Sequence, residues 1–358
     1  VPFISNKHKN LVIPQFLSPV LGQLFGYFIG DGNFEERSLR FRDARIEVLQ
    51  HYAELFKQTF DINGHISKMK SKNCFTLDIN SKEVQDLFKL MLPTILHEIG
   101  KSKKEVVAAF IKGFFDAEGH VSKKAAQITV VQKKEKVLKY LQLFLLRLGI
   151  RSTIKFDIGR KKKINVLRIV CKDIERYLQI GFTAPDKQQR LIEVVKASKE
   201  GHPYEMMPIS RTELRTLLEG CGLNYSKIIR SRSESYRWVS RKELEKAFKE
   251  LMNCTINDKQ LKQKVDFIFK LLNSDIAFER IREISVKENN NALLYDFSVP
   301  KSQNYIANGF IVHNSKYRVY LRRGKAGSRV ARLIDSPNLP DNEAQFFVTE
   351  KGLKDEDE

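Results

Sequence analysis

Two short segments of this chain end in a carboxylate followed by glycine. Leu24-Phe25-Gly26-Tyr27-Phe28-Ile29-Gly30-Asp31-Gly32 and Ile111-Lys112-Gly113-Phe114-Phe115-Asp116-Ala117-Glu118-Gly119 share an apolar body, an early glycine and a small residue just before the acid. At helical spacing Gly26 and Gly30 fall at i and i+4, as do Gly113 and Ala117, so each pair lines one helix face. Glycine inside a helix costs about 1 kcal/mol relative to alanine, and close approach of two helices is a reason to accept it. If those faces meet, Asp31 and Glu118 leave neighbouring helix C-termini at one edge of the molecule. The helix dipole disfavours carboxylates there, so cations are expected to offset them. Oxygen-ligated divalent metal fits, because magnesium typically takes one or two carboxylates together with phosphate oxygens. Such a site suits phosphoryl transfer, with metal stabilising the attacking and leaving oxygens. The plainer alternative is two core helices capped by Gly32 and Gly119, with the acids exposed by chance. Two copies with the same following pattern weigh against it.

A second chemical signature lies near the end. Tyr305-Ile306-Ala307-Asn308-Gly309-Phe310-Ile311-Val312-His313-Asn314-Ser315 holds a hairpin dipeptide, Asn308-Gly309, then His, Asn and a hydroxyl residue in a row. An asparagine amide can attack its own carbonyl carbon and cleave the chain after itself. A neighbouring imidazole can protonate the departing species, and a serine can accept an acyl group. The preceding Leu294-Tyr295-Asp296-Phe297-Ser298-Val299 raises an otherwise trivial tripeptide above chance.

The elements around the paired acids repeat. After the first, Asp43–Phe60 has helical periodicity, Cys74–Ile79 is strand-like and a helix starts at Ser81; after the second, Lys134–Leu148, Val166–Val170 and a helix from Asp173 follow. The spacing from acid to isoleucine (Asp31 to Ile66, Glu118 to Ile154) differs by one residue. The chain therefore opens with a duplicated α+β module over residues 1–184. Residues 185–277 read as short amphipathic helices, Arg211–Glu219 and Arg241–Met252 the plainest, flanking Tyr225–Arg232 and Tyr236-Arg237-Trp238. That stretch reads as a helical spacer with some DNA contact, its basic and aromatic residues suiting a helix-turn-helix-like surface. The run Arg160-Lys161-Lys162-Lys163 lies between strand-like stretches, as a backbone-contacting hairpin tip or a solvated turn.

A formal charge of +20 favours a polyanionic partner, a solvated lysine-rich surface being the alternative. Cys74, Cys171, Cys221 and Cys254 are scattered, without zinc or disulfide spacing, which fits a reducing cytoplasmic compartment. No apolar run approaches the ~18 residues of a membrane span. The chain starts at Val1 without a signal pattern or an initiator methionine, which fits a start inside a longer reading frame.

The paired segments resemble the two motifs of single-chain LAGLIDADG homing endonucleases. The resemblance implies a monomeric, pseudo-symmetric αββαββα fold, repeated twice, with a saddle of two antiparallel sheets over double-stranded DNA. It implies a magnesium-dependent staggered double-strand cut, manganese substituting, with Asp31, Glu118, Gly30 and Ala117 as the metal-site residues, the two acids on the metal-binding acidic positions, and Gly26 and Gly113 on the helix-packing positions. Asp116 has Ile29 as its counterpart and is expected to cap or pack. Family members also place a basic residue near the metals, for which Lys172 and Lys82 are the candidates by position.

Residues 278–314 resemble the C-terminal splicing motifs of inteins, a partial all-β (Hint-type) segment. That resemblance implies Asn314 as the cyclising residue, His313 as its assistant, Ser315 as the first host residue and nucleophile, and Asp296 as an assisting acid; Gln303 stands where many inteins have histidine. Only residues 1–23 precede the first motif, so the block that opens an intein is not in this sequence, and splicing would need an N-terminal fragment in trans. Residues 315–358 resemble the C-terminal strands of archaeal RadA-type recombinases, without a phosphate-binding loop. The expectation is a homing endonuclease within the C-terminal part of an intein precursor. The alternative is a splicing half whose endonuclease domain binds DNA without cutting it.

Overall fold

The computed structural model describes residues 13–69, 73–158, 164–170, 172–197, 206–229, 238–274, 276–279, 281, 283–286, 297, 299–313, 318–325, 327–335, 340, 342–349 and 352–355. Two compact units divide the chain, Val1–Arg282 and Glu283–Glu358. Among the described residues no helix is long and apolar enough to cross a membrane.

The first unit opens with α1 (Pro19–Asp31), β1 (Gly32–Phe34), β2 (Leu39–Asp43), α2 (Ile46–Phe60), β3 (His65–Lys68), β4 (Phe75–Ile79), α3 (Lys82–Met91) and α4 (Ile95–Lys101). The same order returns as α5 (Lys104–Glu118), β5 (Gly119–Ser122), β6 (Gln127–Gln132), α6 (Glu135–Arg147), β7 (Thr153–Ile158), β8 (Ile164–Val170), α7 (Lys172–Tyr177) and α8 (Pro185–Ala197). The two four-stranded sheets share one topology, β1-β2-β4-β3 and β5-β6-β8-β7, antiparallel throughout. The αββαββα repeat expected from the sequence is present, with an extra helix closing each copy.

Local chemistry explains these elements. Ser18 caps α1 by accepting from the Leu21 amide at 3.2 Å, with Pro19 as its first helical residue. Strand β2 alternates with period two, Leu39 and Phe41 buried while Arg40 and Arg42 face partly outward. Helix α1 is buried continuously from Leu21 to Phe28, as befits a helix that is apolar nearly all round and central to the core. One core runs through both repeats, from Leu21 and Phe25 through Phe110 and Phe114, and includes Leu191 and Val194 of α8. The helix-bearing module thus continues in packing terms to the end of α8.

Glycine is required where α1 crosses α5. A Cβ on Gly26 would strike the Phe110 carbonyl oxygen and lie 2.9 Å from the Phe114 nitrogen. One on Gly113 would strike the Gln23 carbonyl oxygen and lie 2.9 Å from the Tyr27 nitrogen. The helices touch backbone to backbone, as the paired glycines predict. Gly32 and Gly119 are not left-handed caps. Both close their helices, their amides donating to the Phe28 and Phe115 carbonyl oxygens, but in extended conformation (φ −87° and −74°) that leads straight into strands.

Residues 206–272 have a separate core and an internal duplication of their own. Strand β9 (Met206–Ser210), α9 (Arg211–Gly220) and α10 (Tyr225–Ile228) are followed by β10 (Trp238–Ser240), α11 (Arg241–Leu251) and α12 (Lys259–Leu272). Ser210-Arg211-Thr212-Glu213-Leu214 matches Ser240-Arg241-Lys242-Glu243-Leu244, and each serine–glutamate pair closes a capping box. β9 pairs antiparallel with β10, and Arg211 bridges to Glu243 at 2.9 Å. The short helices expected here are present, but as two related halves.

In the second unit β11 (Asn304–Ala307) and β12 (Phe310–His313) form the expected hairpin around Asn308 and Gly309 (φ 50° and 84°). The sheet β13-β14-β15-β16, from β13 (Arg318–Arg323), β14 (Arg329–Asp335), β15 (Asn342–Thr349) and β16 (Gly352–Lys354), is antiparallel.

The helix contact predicts a sharp difference between glycines. Gly26→Ala lowers the unfolding free energy by at least about 3 kcal/mol in urea titration, because the added methyl overpacks against backbone. Gly149→Ala, at a position with open space but φ +75°, costs about 1 kcal/mol. Equal losses would contradict the packing described.

Candidate functional site

The contact that excludes a Cβ at Gly26 and Gly113 also fixes where the helices end. One turn on, a Cβ built on Gly30 would lie 2.6 Å from Ala117 Cβ and 3.2 Å from Glu118 Cγ. The last turns of α1 and α5 are therefore side by side, with Asp31 exposed and Glu118 half-buried at a common edge. Glu118 is held above the ordinary 4.5, first by desolvation and then by the charge of Asp31, with Lys187 opposing. Asp31 is raised from 3.8 by desolvation, with Arg42 opposing and Asp43 reinforcing. Two acids that both resist ionisation, with Asp31 acting on Glu118, concentrate negative potential at this edge.

Further polar groups support these helix ends. Asp116, fully buried, accepts from the Thr183 amide at 2.7 Å and the Tyr52 hydroxyl at 2.8 Å. Burial raises its pKa while those hydrogen bonds oppose the rise. It ties α5 to the loop before α8 and to α2 of the other repeat, which agrees with the packing role expected of it. Across the pair, Tyr27 donates to Asp43 Oδ2 at 3.0 Å, and Asp43 meets Arg45 at 2.7 Å. Arg45 reaches Asp186 of α8 at 3.2 Å.

Lys187 is the residue that sequence reasoning missed. It is only 9% exposed, and its Nζ donates to the carbonyl oxygens of Asp116 (2.7 Å) and Phe115 (3.4 Å). Burial lowers its pKa to about 8, Arg45 adding to the fall while Asp116, Asp43 and Asp186 oppose it. Its charge opposes the rise at Glu118, while the acids acting on Lys187 itself are Asp116, Asp43 and Asp186. Arg42 was also missed, although the alternation of β2 placed it on the outward face nearest Asp31.

The remaining expected site residues fall elsewhere. Lys172 is exposed at the start of α7, and Lys82 at the start of α3 pairs with Asp86 at 3.0 Å. Neither is among the charges acting on Asp31 or Glu118. His313 is the exposed last residue of β12, opposite Asn304. Asp296, Asn314, Ser315 and the run Arg160–Lys163 lie outside the described residues.

Among the described residues no group of three or more His, Cys, Asp or Glu side chains converges to hold a metal alone. Two carboxylates at a solvent-facing edge fit a hard divalent cation that completes its shell with backbone carbonyls, water and phosphate oxygens.

Residues 18–92 and 105–180 each match the LAGLIDADG-like domain, and residues 283–356 match Rad51. The two repeats form a duplicated LAGLIDADG-like domain. The crystal structure of I-DmoI in complex with DNA and Ca is similar at 24% identity and a TM-score of 0.39, covering 48% of this chain and 96% of that one. The glutamine–fructose-6-phosphate aminotransferase (isomerizing) of Methanocaldococcus jannaschii is 31% identical over 324 residues, covering 86% of this chain and 28% of that protein. A probable translation initiation factor of the same organism is 25% identical over 295 residues, covering 68% and 25%. The DNA repair and recombination protein RadA of Methanocorpusculum labreanum is 31% identical over 176 residues, covering 49% of each. The chain spans about a quarter to a half of the length of these relatives.

The raised carboxylates predict a pH signature with a definite sign. The folded chain holds these protons to higher pH than the unfolded chain, so this contribution to stability is greatest below 3.8 and 4.5 and is lost as pH rises through the folded values. In EDTA, Glu118→Gln therefore gains stability over the parent chain as pH rises from 4.5 in thermal unfolding. A difference that stays flat or shrinks would contradict the assignment.

Proposed function

We propose that the LAGLIDADG-like domain cuts double-stranded DNA at a specific site by divalent-metal-dependent phosphodiester hydrolysis, with Asp31 and Glu118 holding the metal. The observation that carries this is the juxtaposition of Asp31 and Glu118, two pKa-raised carboxylates from equivalent helix ends. A bound divalent cation, magnesium by preference and manganese in its place, would supply a more acidic water and neutralise charge developing on the phosphate. The chain's own part is to position. The glycine contact fixes the spacing of the two acids, and Asp116 anchors α5 against the opposite repeat. The charge of +20 favours the phosphate backbone.

The names of the curated relatives support an inserted element. An aminotransferase, an initiation factor and a recombinase share no activity, yet each matches much of this chain. Matches to proteins as unlike as the aminotransferase and the initiation factor are best read as an inserted passenger in those two, whereas the recombinase likeness includes the Rad51-like residues 283–356. The hairpin ending at His313 favours a second, compatible reading. In it residues 278–314 are the C-terminal part of an intein, Asn314 cyclises with help from His313 and Asp296, and Ser315 begins a RadA-type host segment.

The test is cleavage of a plasmid carrying the intein-free recombinase junction. With magnesium, the chain makes one double-strand cut, and Asp31→Asn and Glu118→Gln each lower its rate at least ~100-fold. Cutting that survives both substitutions would overturn the assignment. For the splicing segment, mass spectrometry of the incubated chain detects cleavage after Asn314, slowed in His313→Ala and abolished in Asn314→Ala. Equal release from all three would refute it.

A further inference from the structure

Residues 206–272 have a core of their own, and neither activity proposed above uses them. Their first half is turned more tightly than their second. At the end of α9 the Leu223 amide donates to the Leu218 carbonyl oxygen at 2.8 Å, and the Gly222 amide to that of Glu219 at 3.0 Å. Gly222 supplies the left-handed residue that this ending needs (φ +74°), with open space around it, so its backbone freedom is what the position uses. Two residues on, the Asn224 side chain caps α10 by accepting from the Lys227 amide at 3.2 Å. Only Cys221–Asn224 joins the two helices, which is the length and glycine content of a helix-turn-helix connection. In the second half residues 252–258 separate α11 from α12, with no left-handed residue among them.

Burial sorts the faces of this pair. Tyr225 and Ile229, four apart, turn α10 toward the core, and Ser226 and Lys227 face solvent. Arg215, exposed on α9, lies over the Tyr225 ring at 4.8 Å from its centroid, which sets a second cation beside α10. Arg211 is tied inward instead, donating to the Tyr225 hydroxyl at 3.3 Å and to Glu243 at 2.9 Å. The second half braces the first, a Cβ on Gly220 lying 3.3 Å from Leu261 of α12. Residues 206–272 hold fourteen Lys and Arg against eight Asp and Glu. Three of those acids, Glu213, Glu243 and Asp258, are occupied in capping helix starts. Resting on the reading of this chain as a double-stranded DNA binder, we propose that α9 and α10 form a second DNA-docking element. The Ser226–Lys227 face of α10 meets the major groove and Arg215 meets flanking phosphate. Residues 198–205 tether the element to α8, and at ~3.5 Å per extended residue its contact falls within about 30 Å of that helix, roughly one turn of duplex.

A docking element and a merely basic surface respond differently to the same loss of charge. The full chain is titrated against a labelled duplex of about 40 base pairs, long enough for both modules, in EDTA and over a range of salt. Fluorescence anisotropy then compares the parent with Arg215→Ala/Lys227→Ala and with Lys262→Ala/Lys264→Ala, which removes equal charge from exposed positions of α12. The first pair binds at least ~10-fold more weakly, and its slope of log affinity against log salt is shallower by about 2, one phosphate contact per cation. The α12 pair binds like the parent. Equal losses in both pairs, or no loss in the first, overturn the proposal. If loss of Arg215 from the Tyr225 ring unfolds the module, Lys227→Glu carries the test, and an unchanged affinity and slope overturn it. Single-stranded RNA of the same length bound more tightly than duplex, and lost in the first pair, assigns the element to RNA and overturns it too. Cutting is scored separately with magnesium. A parent that shows these binding differences without cutting sinks the nuclease reading and leaves the docking element standing, and a parent that binds no duplex sinks both.

Discussion

Everything at the candidate site depends on two helices touching backbone to backbone. Gly26 rests on the Phe110 carbonyl and Gly113 on the Gln23 carbonyl, with no room for a side chain at either point. A contact between main chains leaves little play, because no rotamer can absorb a shift. Helices separated by ordinary side chains pack about 8–10 Å apart, and a contact through main chain brings the ends that carry Asp31 and Glu118 closer than side chains at these positions would allow. The large aromatic core, Tyr27, Phe28, Phe41, Phe56 and Phe88 in one repeat and Phe110, Phe115, Phe144 and Tyr177 in the other, clamps the pair from both sides.

That geometry carries an electrostatic cost. Two helix C-termini and two carboxylates gather negative charge at one edge, and the fold answers with cations from outside the helices: Arg42 from a strand, Arg45 through Asp43, and Lys187 from α8. Asp116 shows how the duplication has diverged. Its counterpart Ile29 only packs, whereas Asp116 gathers hydrogen bonds from Thr183 and Tyr52 and so joins α2, α5 and the approach to α8. The two halves share a chain trace and differ in how they are braced.

The helix pair is legible in the sequence because glycine inside a helix is costly unless another backbone needs the space, and because the pattern occurs twice. Strands β4 and β8 and helices α2, α3, α6 and α7 are readable from periodicity that likewise repeats. Lys187 is not. It lies far along the chain from Glu118, in a helix whose pattern looks solvated, and only the tertiary fold turns that lysine inward. Lys172 and Lys82 draw attention by sequence position alone, a weak guide among 63 lysines and arginines. The duplication in residues 206–272 is hidden by its shortness, since Ser-Arg-x-Glu-Leu becomes meaningful once both copies are seen as capping boxes feeding a shared core.

The function proposed for the chain rests on the close-packed helix ends making a shared metal site. Crystallography of the chain with target duplex and manganese, using anomalous scattering, tests this most directly. The prediction is anomalous density between α1 and α5, with carboxylate oxygens of Asp31 and Glu118 at about 2.0–2.4 Å and phosphate oxygen completing the shell. Manganese bound elsewhere, or DNA bound with both carboxylates free of metal, would contradict it.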